Sequence, residues 1–202
     1  MDIEGFILAG GASSRMGRDK ARLTLDGRSF VERIAEALSP VAERVNLVGA
    51  KNVSSSLIKR NVPDVYESWG ALGGLHAALA ACSAEWALVV ACDLPFVTSE
   101  LFARLASLRE DAEAVVPLQA DGKLQPLCAL YRRSPCAELA RELIEAGERR
   151  PRALIKAVRA RLVDVEELSD LQDSQFFFEN VNTPVDYAQA RARFGEEGCK
   201  IV

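Results

Sequence analysis

Trp86-Ala87-Leu88-Val89-Val90-Ala91-Cys92-Asp93-Leu94-Pro95 is the stretch on which the fold turns. Its first seven residues, Trp86 to Cys92, are apolar without interruption. A strand with one wet face alternates polar and apolar residues. A continuous apolar run over 86–91 instead predicts a strand buried on both faces, which requires helices on either side of the sheet. The run ends in a carboxylate, Asp93, and a proline follows two residues later.

The same plan recurs in both directions. Ile3 to Ala9 is an apolar run that stops at Gly10-Gly11. Ser29-Phe30-Val31-Glu32 fits a capping box, and Phe30, Ile34 and Leu38 then share one helical face before Pro40. Val45 to Ala50 reads as a strand and Gly73 to Cys82 as an Ala/Leu-rich helix. Thr98 caps a helix to about Leu108. Ala114 to Leu118 and Leu124 to Tyr131 read as strands around a turn at Ala120-Asp121-Gly122. Pro135 opens a helix that stops at Gly147. Arg161 to Val165 and Phe176 to Phe178 read as short strands, and Thr183-Pro184-Val185-Asp186 caps the last helix.

Strands alternating with helices predict an α/β fold: a three-layer, Rossmann-like, mostly parallel sheet with one antiparallel strand near Gly122. No internal repeat or linker divides the chain, so residues 1–195 are expected to form a single domain with 196–202 as a tail. In such folds ligands sit beyond the carboxyl ends of the strands. The segments to question are therefore 10–20, 64–74, 92–96 and 179–183.

Composition excludes several classes. Lys and Arg number 25 against 29 Asp and Glu, a net charge of −4, so there is no basic excess for nucleic acid. Seven apolar residues fall well short of the roughly 20 needed to cross a bilayer. Met1-Asp2-Ile3-Glu4 lacks the basic-then-apolar order of a secretion signal, and the expected location is cytoplasmic. Five cysteines without a CxxC pair fit neither a disulfide framework nor a structural zinc site. The single histidine, His76, excludes HExxH, and its place in a helical stretch reads as partly buried packing.

Four segments carry chemistry. Leu8 to Lys20 sends two glycines out of a strand and follows them with Arg15, Gly17, Arg18 and Lys20. Backbone N–H groups beside cations suit a polyphosphate, although this is neither a Walker A loop nor GxGxxG. Asp93, at the tip of the buried strand, is placed to hold Mg²⁺, which takes one or two carboxylates and completes its shell with phosphate oxygens and water. Asp64 with Gly70-Ala71-Leu72-Gly73-Gly74 puts a glycine cluster before a helix, a place for an anion or a carbonyl. Asn180 and Asn182, two residues apart on extended chain, would face one side and offer both donors and acceptors. A basic cluster, Gly147-Glu148-Arg149-Arg150-Pro151-Arg152, reads either as a solvated face or as a second anion site.

Leu8 to Lys20 also resembles the LAGGxSxRMGxDK opening of the molybdenum cofactor guanylyltransferases, the MobA family. Asp64, Gly70 to Gly74, Asp93-Leu94-Pro95, Gln125-Pro126-Leu127, Gly147 to Arg150 and Asn180-Val181-Asn182-Thr183-Pro184 follow in that family's order. The resemblance implies a fold of the nucleotide-diphospho-sugar transferase type. It implies GTP bound through Leu8, Ala9, Gly10, Gly11, Lys20, Asp64 and Asp93, with Mg²⁺ on Asp93. Arg15 and Lys20 would neutralise the triphosphate. The acceptor would be the terminal phosphate of molybdopterin, met by Gly17, Asn180, Asn182, Arg149 and Arg150. Other cofactor-biosynthesis proteins or acceptor molybdoenzymes are the implied protein partners. The chain departs from the family pattern with Ala71 where proline is common and Val48 where asparagine is common. Transfer from CTP or to another acceptor, and GTP binding without catalysis, stand as the alternatives.

Overall fold

The computed structural model describes residues 2–10, 23–50, 55–66 and 69–194. The chain begins with β1 (Ile3–Leu8), a short hairpin of β2 (Thr24–Leu25) and β3 (Arg28–Ser29), helix α1 (Phe30–Leu38), β4 (Val45–Val48), β5 (Ile58–Val62) and α2 (Gly70–Ala81). It continues through β6 (Trp86–Ala91), α3 (Ser99–Ser107), β7 (Ala114–Pro117), β8 (Cys128–Arg132), α4 (Arg133–Glu145), α5 (Arg152–Ala157), β9 (Ala160–Val163) and α6 (Pro184–Arg193).

Seven of these strands form one sheet in the order β5-β4-β1-β6-β8-β7-β9. Among the described residues only β8 opposes the sheet's direction, pairing antiparallel with β6 and with β7. The sheet is therefore the mostly parallel one with a single antiparallel strand that the sequence predicts. One face packs Ile7, Leu47, Leu88 and Val90 against α1 and α3. The other packs Phe6, Leu8, Val48 and Val89 against α2 and α4. β6 sits between these two cores with Trp86 to Val90 buried, which is why its sequence lacks alternation.

Local chemistry sets the helix ends. Ser29 and Glu32 form the expected capping box at α1, and their hydrogen bond holds the Glu32 carboxyl below its ordinary range. Thr98 caps α3, and Thr183 with Asp186 caps α6 behind Pro184. Helix α4 ends before Gly147, whose φ of +89° lets the chain reverse there.

Several boundaries differ from the sequence reading. The Phe176 to Phe178 strand is not formed; Ser174–Phe176 is a turn of 3₁₀ helix. There Phe177 is fully buried in the core, and that packing overrides the β preference of aromatic residues. Helix α2 starts at Gly70, three residues before the expected Gly73. β5 is an additional edge strand, hidden in the sequence because Lys59, Arg60 and Asn61 are exposed on it. α5 is additional too, a single short helix whose Leu154 and Ile155 are buried behind the basic cluster.

Candidate nucleotide-binding cleft

Chain order and sheet order together choose the site. From β1 the chain moves outward to β4 and β5, then returns to the other side of β1 to lay down β6. The strand order reverses between β1 and β6, and a crevice opens at their carboxyl ends. Leu8 lies opposite Ala91, and the Cys92 N–H donates to the Leu8 carbonyl at 3.0 Å. Ala9-Gly10 and Cys92-Asp93 thus leave the sheet side by side.

A cleft of about 830 Å³ occupies this position. Leu8, Ala9 and Gly10 line it from the end of β1, Val48 from β4 and Asp64 from beyond β5. Gly70, Ala71 and Gly74 line it from α2, Cys92, Asp93 and Leu94 from beyond β6, and Gln125, Pro126, Leu127 and Asn180 from the far side.

The floor is made by close backbone approach. Gly49 has a φ of +73°, and a Cβ on it would stand 2.8 Å from the Gly10 Cα. A Cβ on Gly10 would stand 3.3 Å from Asp64 Oδ2. Gly49 admits no side chain here, and one at Gly10 would force the neighbouring backbone to give, so the ends of β1 and β4 meet closely beneath the Asp64 carboxylate. Helix α2 presents its N-terminus here without a side-chain cap, as do α4 and α5, with the Leu72 N–H given to the Arg149 carbonyl. An N-terminal end of this kind favours an anion.

The sequence-predicted residues separate into groups. Leu8, Ala9, Gly10, Asp64, Asp93 and Asn180 are brought together. Gly11, Arg15, Gly17 and Lys20 lie outside the described residues. Asn182 does not line the cleft; its N–H donates to Asp186 Oδ2 at 2.9 Å, inside the cap of α6. The cluster at 147–150 docks on the start of α2. Trp69 Nε1 donates to the Glu148 carbonyl at 2.8 Å, Leu72 N–H donates to the Arg149 carbonyl at 3.3 Å, and the Arg149 guanidinium lies 4.6 Å from the Trp69 ring centre. Arg150 is engaged with Glu148 at 2.9 Å, and together with the backbone N–H groups of residues 149 and 150 it holds that carboxyl down at about 2.

Gln125, Pro126 and Leu127 were not singled out as site residues from their chemistry. The sequence reads one strand over 124–131, but the ladder of β8 begins at Cys128, and Gln125 N–H turns to the Pro117 carbonyl at 2.9 Å. Because β8 is antiparallel, the residues before it reach the crevice, with Val90 opposite Cys128.

Among the described residues no three His, Cys, Asp or Glu side chains gather as a metal cage. Two carboxylates, Asp64 and Asp93, line one cleft beside a helix N-terminus. That donor set fits a hard divalent ion that arrives with a polyphosphate and keeps most of its own water.

A doubly wound α/β sheet with a glycine floor, a helix N-terminus and acidic residues at the switch point has the architecture of the nucleotide-binding α/β folds. The chain belongs to the MobA-like NTP transferase domain family, whose model matches residues 5–164. It is 37% identical over 95% of its length to a Pelotomaculum thermopropionicum protein named "Probable molybdenum cofactor guanylyltransferase", covering 93% of that protein. It is 30% identical to a Desulfosudis oleivorans molybdenum cofactor guanylyltransferase, over 94% of this chain and 95% of that one. The fold is shared with the molybdopterin-guanine dinucleotide biosynthesis protein A of Archaeoglobus fulgidus, at a TM-score of 0.79, 24% identity and coverage of 96% and 99%.

Proposed function

We propose that this chain is a molybdenum cofactor guanylyltransferase, transferring GMP from GTP to the terminal phosphate of molybdopterin. A phosphate oxygen of the acceptor bonds to the α-phosphorus of GTP, the α–β bridging P–O bond breaks, and pyrophosphate leaves with the electron pair. The observation that carries this reading is the joining of Gly10, Asp64, Asp93 and the N-terminus of α2 in one cleft. Relatives bearing that name along nearly the whole chain support it.

The nucleophile is already an anion, so no strong base is required, and the chemistry is mostly positioning and charge stabilisation. Leu8, Ala9 and Gly10 hold the nucleotide at the β1 end, and Gly11, next in sequence, is assigned to it by the family resemblance alone. Asp64 stands over their floor. Arg15 and Lys20, read from the sequence, neutralise the triphosphate and the departing pyrophosphate, and Gly17 is read from the sequence as an acceptor contact. Asp93 would hold Mg²⁺, which when bound supplies charge neutralisation and orientation at the phosphoryl oxygens. Asn180 and Gln125 offer amides to the acceptor from the far wall, with Asn182 behind Asn180. Arg149 meets the acceptor's charged part at the α2 rim, and Arg150 steadies that rim through Glu148. The reading places the enzyme in the cytoplasm as a single domain over residues 1–195. It would exchange its substrate and product with other cofactor-biosynthesis proteins or acceptor molybdoenzymes. Among the described residues no helix is long and apolar enough to cross a membrane.

The test is incubation with Mg²⁺, molybdopterin and each of the four nucleoside triphosphates in turn, with mass measurement of the product. A GMP adduct and pyrophosphate are expected from GTP. A CMP adduct instead, or GTP binding without any adduct, would overturn the assignment.

A further inference from the structure

Two loops bring their key residues to the cleft from different parts of the chain. Asp93 follows β6, whereas Asn180 stands on an irregular segment just before α6, beyond residue 164 where the family match ends. Nothing in the sheet ladder holds that segment. Asn180 is instead tied on both sides. The Val181 N–H donates to the Asp93 carbonyl at 2.9 Å. On the other side, Glu179 receives both ends of the Arg193 guanidinium, at 2.7 Å and 3.0 Å. Arg193, in the last turn of α6, is itself seated between aromatic rings. Its Cζ lies 4.0 Å from the centre of Phe176 and 5.2 Å from that of Phe96, three residues beyond Asp93.

The stack continues outward. Phe96 lies parallel to Phe194 at 6.4 Å, with 4° between the planes, and Arg33 of α1 covers Phe194 at 4.5 Å. Arg33 Nε also donates to the Pro95 carbonyl at 3.4 Å. One guanidinium therefore grips Glu179 beside Asn180 and rests on Phe96 in the Asp93 loop, while a second closes the stack from α1. A planar fork that hydrogen-bonds in two directions and stacks on its faces is a task for arginine and is performed poorly by lysine.

We propose that Arg193 is a positioning residue: by joining Glu179 to the Phe96 and Phe176 rings on which its guanidinium rests, it sets the distance and angle between Asn180 and Asp93, and so governs acceptor binding. Arg193 itself does not line the cleft. The inference rests on the guanylyl-transfer reading and deepens it, because it divides the cleft by origin. The nucleotide wall comes from within residues 5–164, and Asn180, on the acceptor wall beside Gln125, is fastened by the segment after them.

The experiment is steady-state kinetics of Arg193→Ala, Arg193→Lys and Glu179→Gln, varying molybdopterin and GTP separately. Arg193→Ala is expected to raise the acceptor KM about 10-fold, consistent with a displaced contact, while GTP KM stays within about twofold. Arg193→Lys, which keeps charge but loses the fork, falls between Arg193→Ala and wild type. Glu179→Gln, nearly isosteric, moves the acceptor KM the same way by about threefold and decides the matter should Arg193→Ala fail to fold. A purely structural role would lower the active fraction, and with it kcat, at unchanged acceptor KM. That outcome, or GTP KM rising in step with acceptor KM, overturns the proposal. An inactive wild type overturns the guanylyl-transfer reading itself and this inference with it.

Discussion

Two carboxylates stand at opposite ends of the same sheet and live under different rules. Glu4, near the start of β1, is 3% exposed. Its oxygens receive the Ser83 hydroxyl and the Ser83 N–H, and Arg44 approaches to 3.8 Å. Asp93, past the end of β6, is half-buried and lines an open cleft with Asp64 and Gly10. At the closed end a buried charge is covered by local hydrogen bonds, as folding demands. At the open end acidic groups, close-packed glycines and a helix N-terminus without a side-chain cap are gathered with room left above them. On the proposed reading the amino ends of the strands serve stability and the carboxyl ends serve chemistry, and each carboxylate offers a way to break that division.

The largest effect is expected at the open end. Asp93→Ala should lower Mg²⁺-dependent pyrophosphate release on the order of 10²–10³-fold, the usual loss on removing a group that stabilises developing charge. Its melting midpoint should drop by no more than about 2 °C, since Asp93 lies at the cleft, outside the hydrophobic cores. The Asp93 carbonyl still accepts from Val181 in that variant, so the loop keeps its anchor. A variant that melts much earlier yet turns over normally would reverse the comparison.

Glu4→Ala is the mirror experiment. It leaves the Ser83 hydroxyl and N–H without their acceptor, removes the Arg44 ion pair and opens a small void beneath α2. A loss of about 2 kcal/mol is expected, which for a chain of this size lowers the melting midpoint by roughly 4–8 °C. GTP turnover measured well below the transition should stay within about twofold of wild type. A large fall in turnover at unchanged stability would show that the closed end is coupled to the cleft.

The two ends were not equally legible in the sequence. Asp93 stands out because it follows the uninterrupted run of β6, and the strand-end rule places it in the crevice. Glu4 breaks an apolar run and gives no hint of Ser83, 79 residues away, as its partner. The same rule explains what was missed at the cleft itself. It points to residues after strands, which holds for parallel β1, β4 and β6. Antiparallel β8 inverts it, so Gln125 to Leu127 arrive from in front of their strand. The Asn180 segment was found by its residue types, although the strand expected before it is a 3₁₀ turn. Arg193 carries no local signal, because its rings come from Phe96 and Phe176 and its ion-pair partner from Glu179. Edge strand β5 escaped because exposed Lys59, Arg60 and Asn61 hide the periodicity that a buried strand displays.

Between the two ends lies His76, and it gives the smallest and sharpest test of where the site stops. It sits in α2, whose first residues line the cleft and whose last turn leads to Ser83. The ring is 7% exposed, packs edge-on against Tyr66 at 5.2 Å, and leaves Nδ1 buried with no hydrogen-bond partner among the described residues. Burial lowers its pKa from the ordinary 6.5, Arg141 of α4 adds to the shift, and Glu145 of the same helix opposes it. The folded protein therefore holds His76 neutral at pH values where the unfolded chain already binds a proton. Stability contributed by this residue is complete above 6.5 and is lost as pH falls from there toward the lowered value. Because the chain has a single histidine, His76→Leu should flatten the melting midpoint between neutral pH and the onset of carboxylate titration. At pH 7 the variant should be no less stable, since it removes an unsatisfied polar atom, and its turnover should match wild type. A wild-type midpoint already flat across that range would show that the ring is not held neutral by burial. Lost turnover in an equally stable variant would extend the functional half of α2 past Gly74 into its core-facing middle.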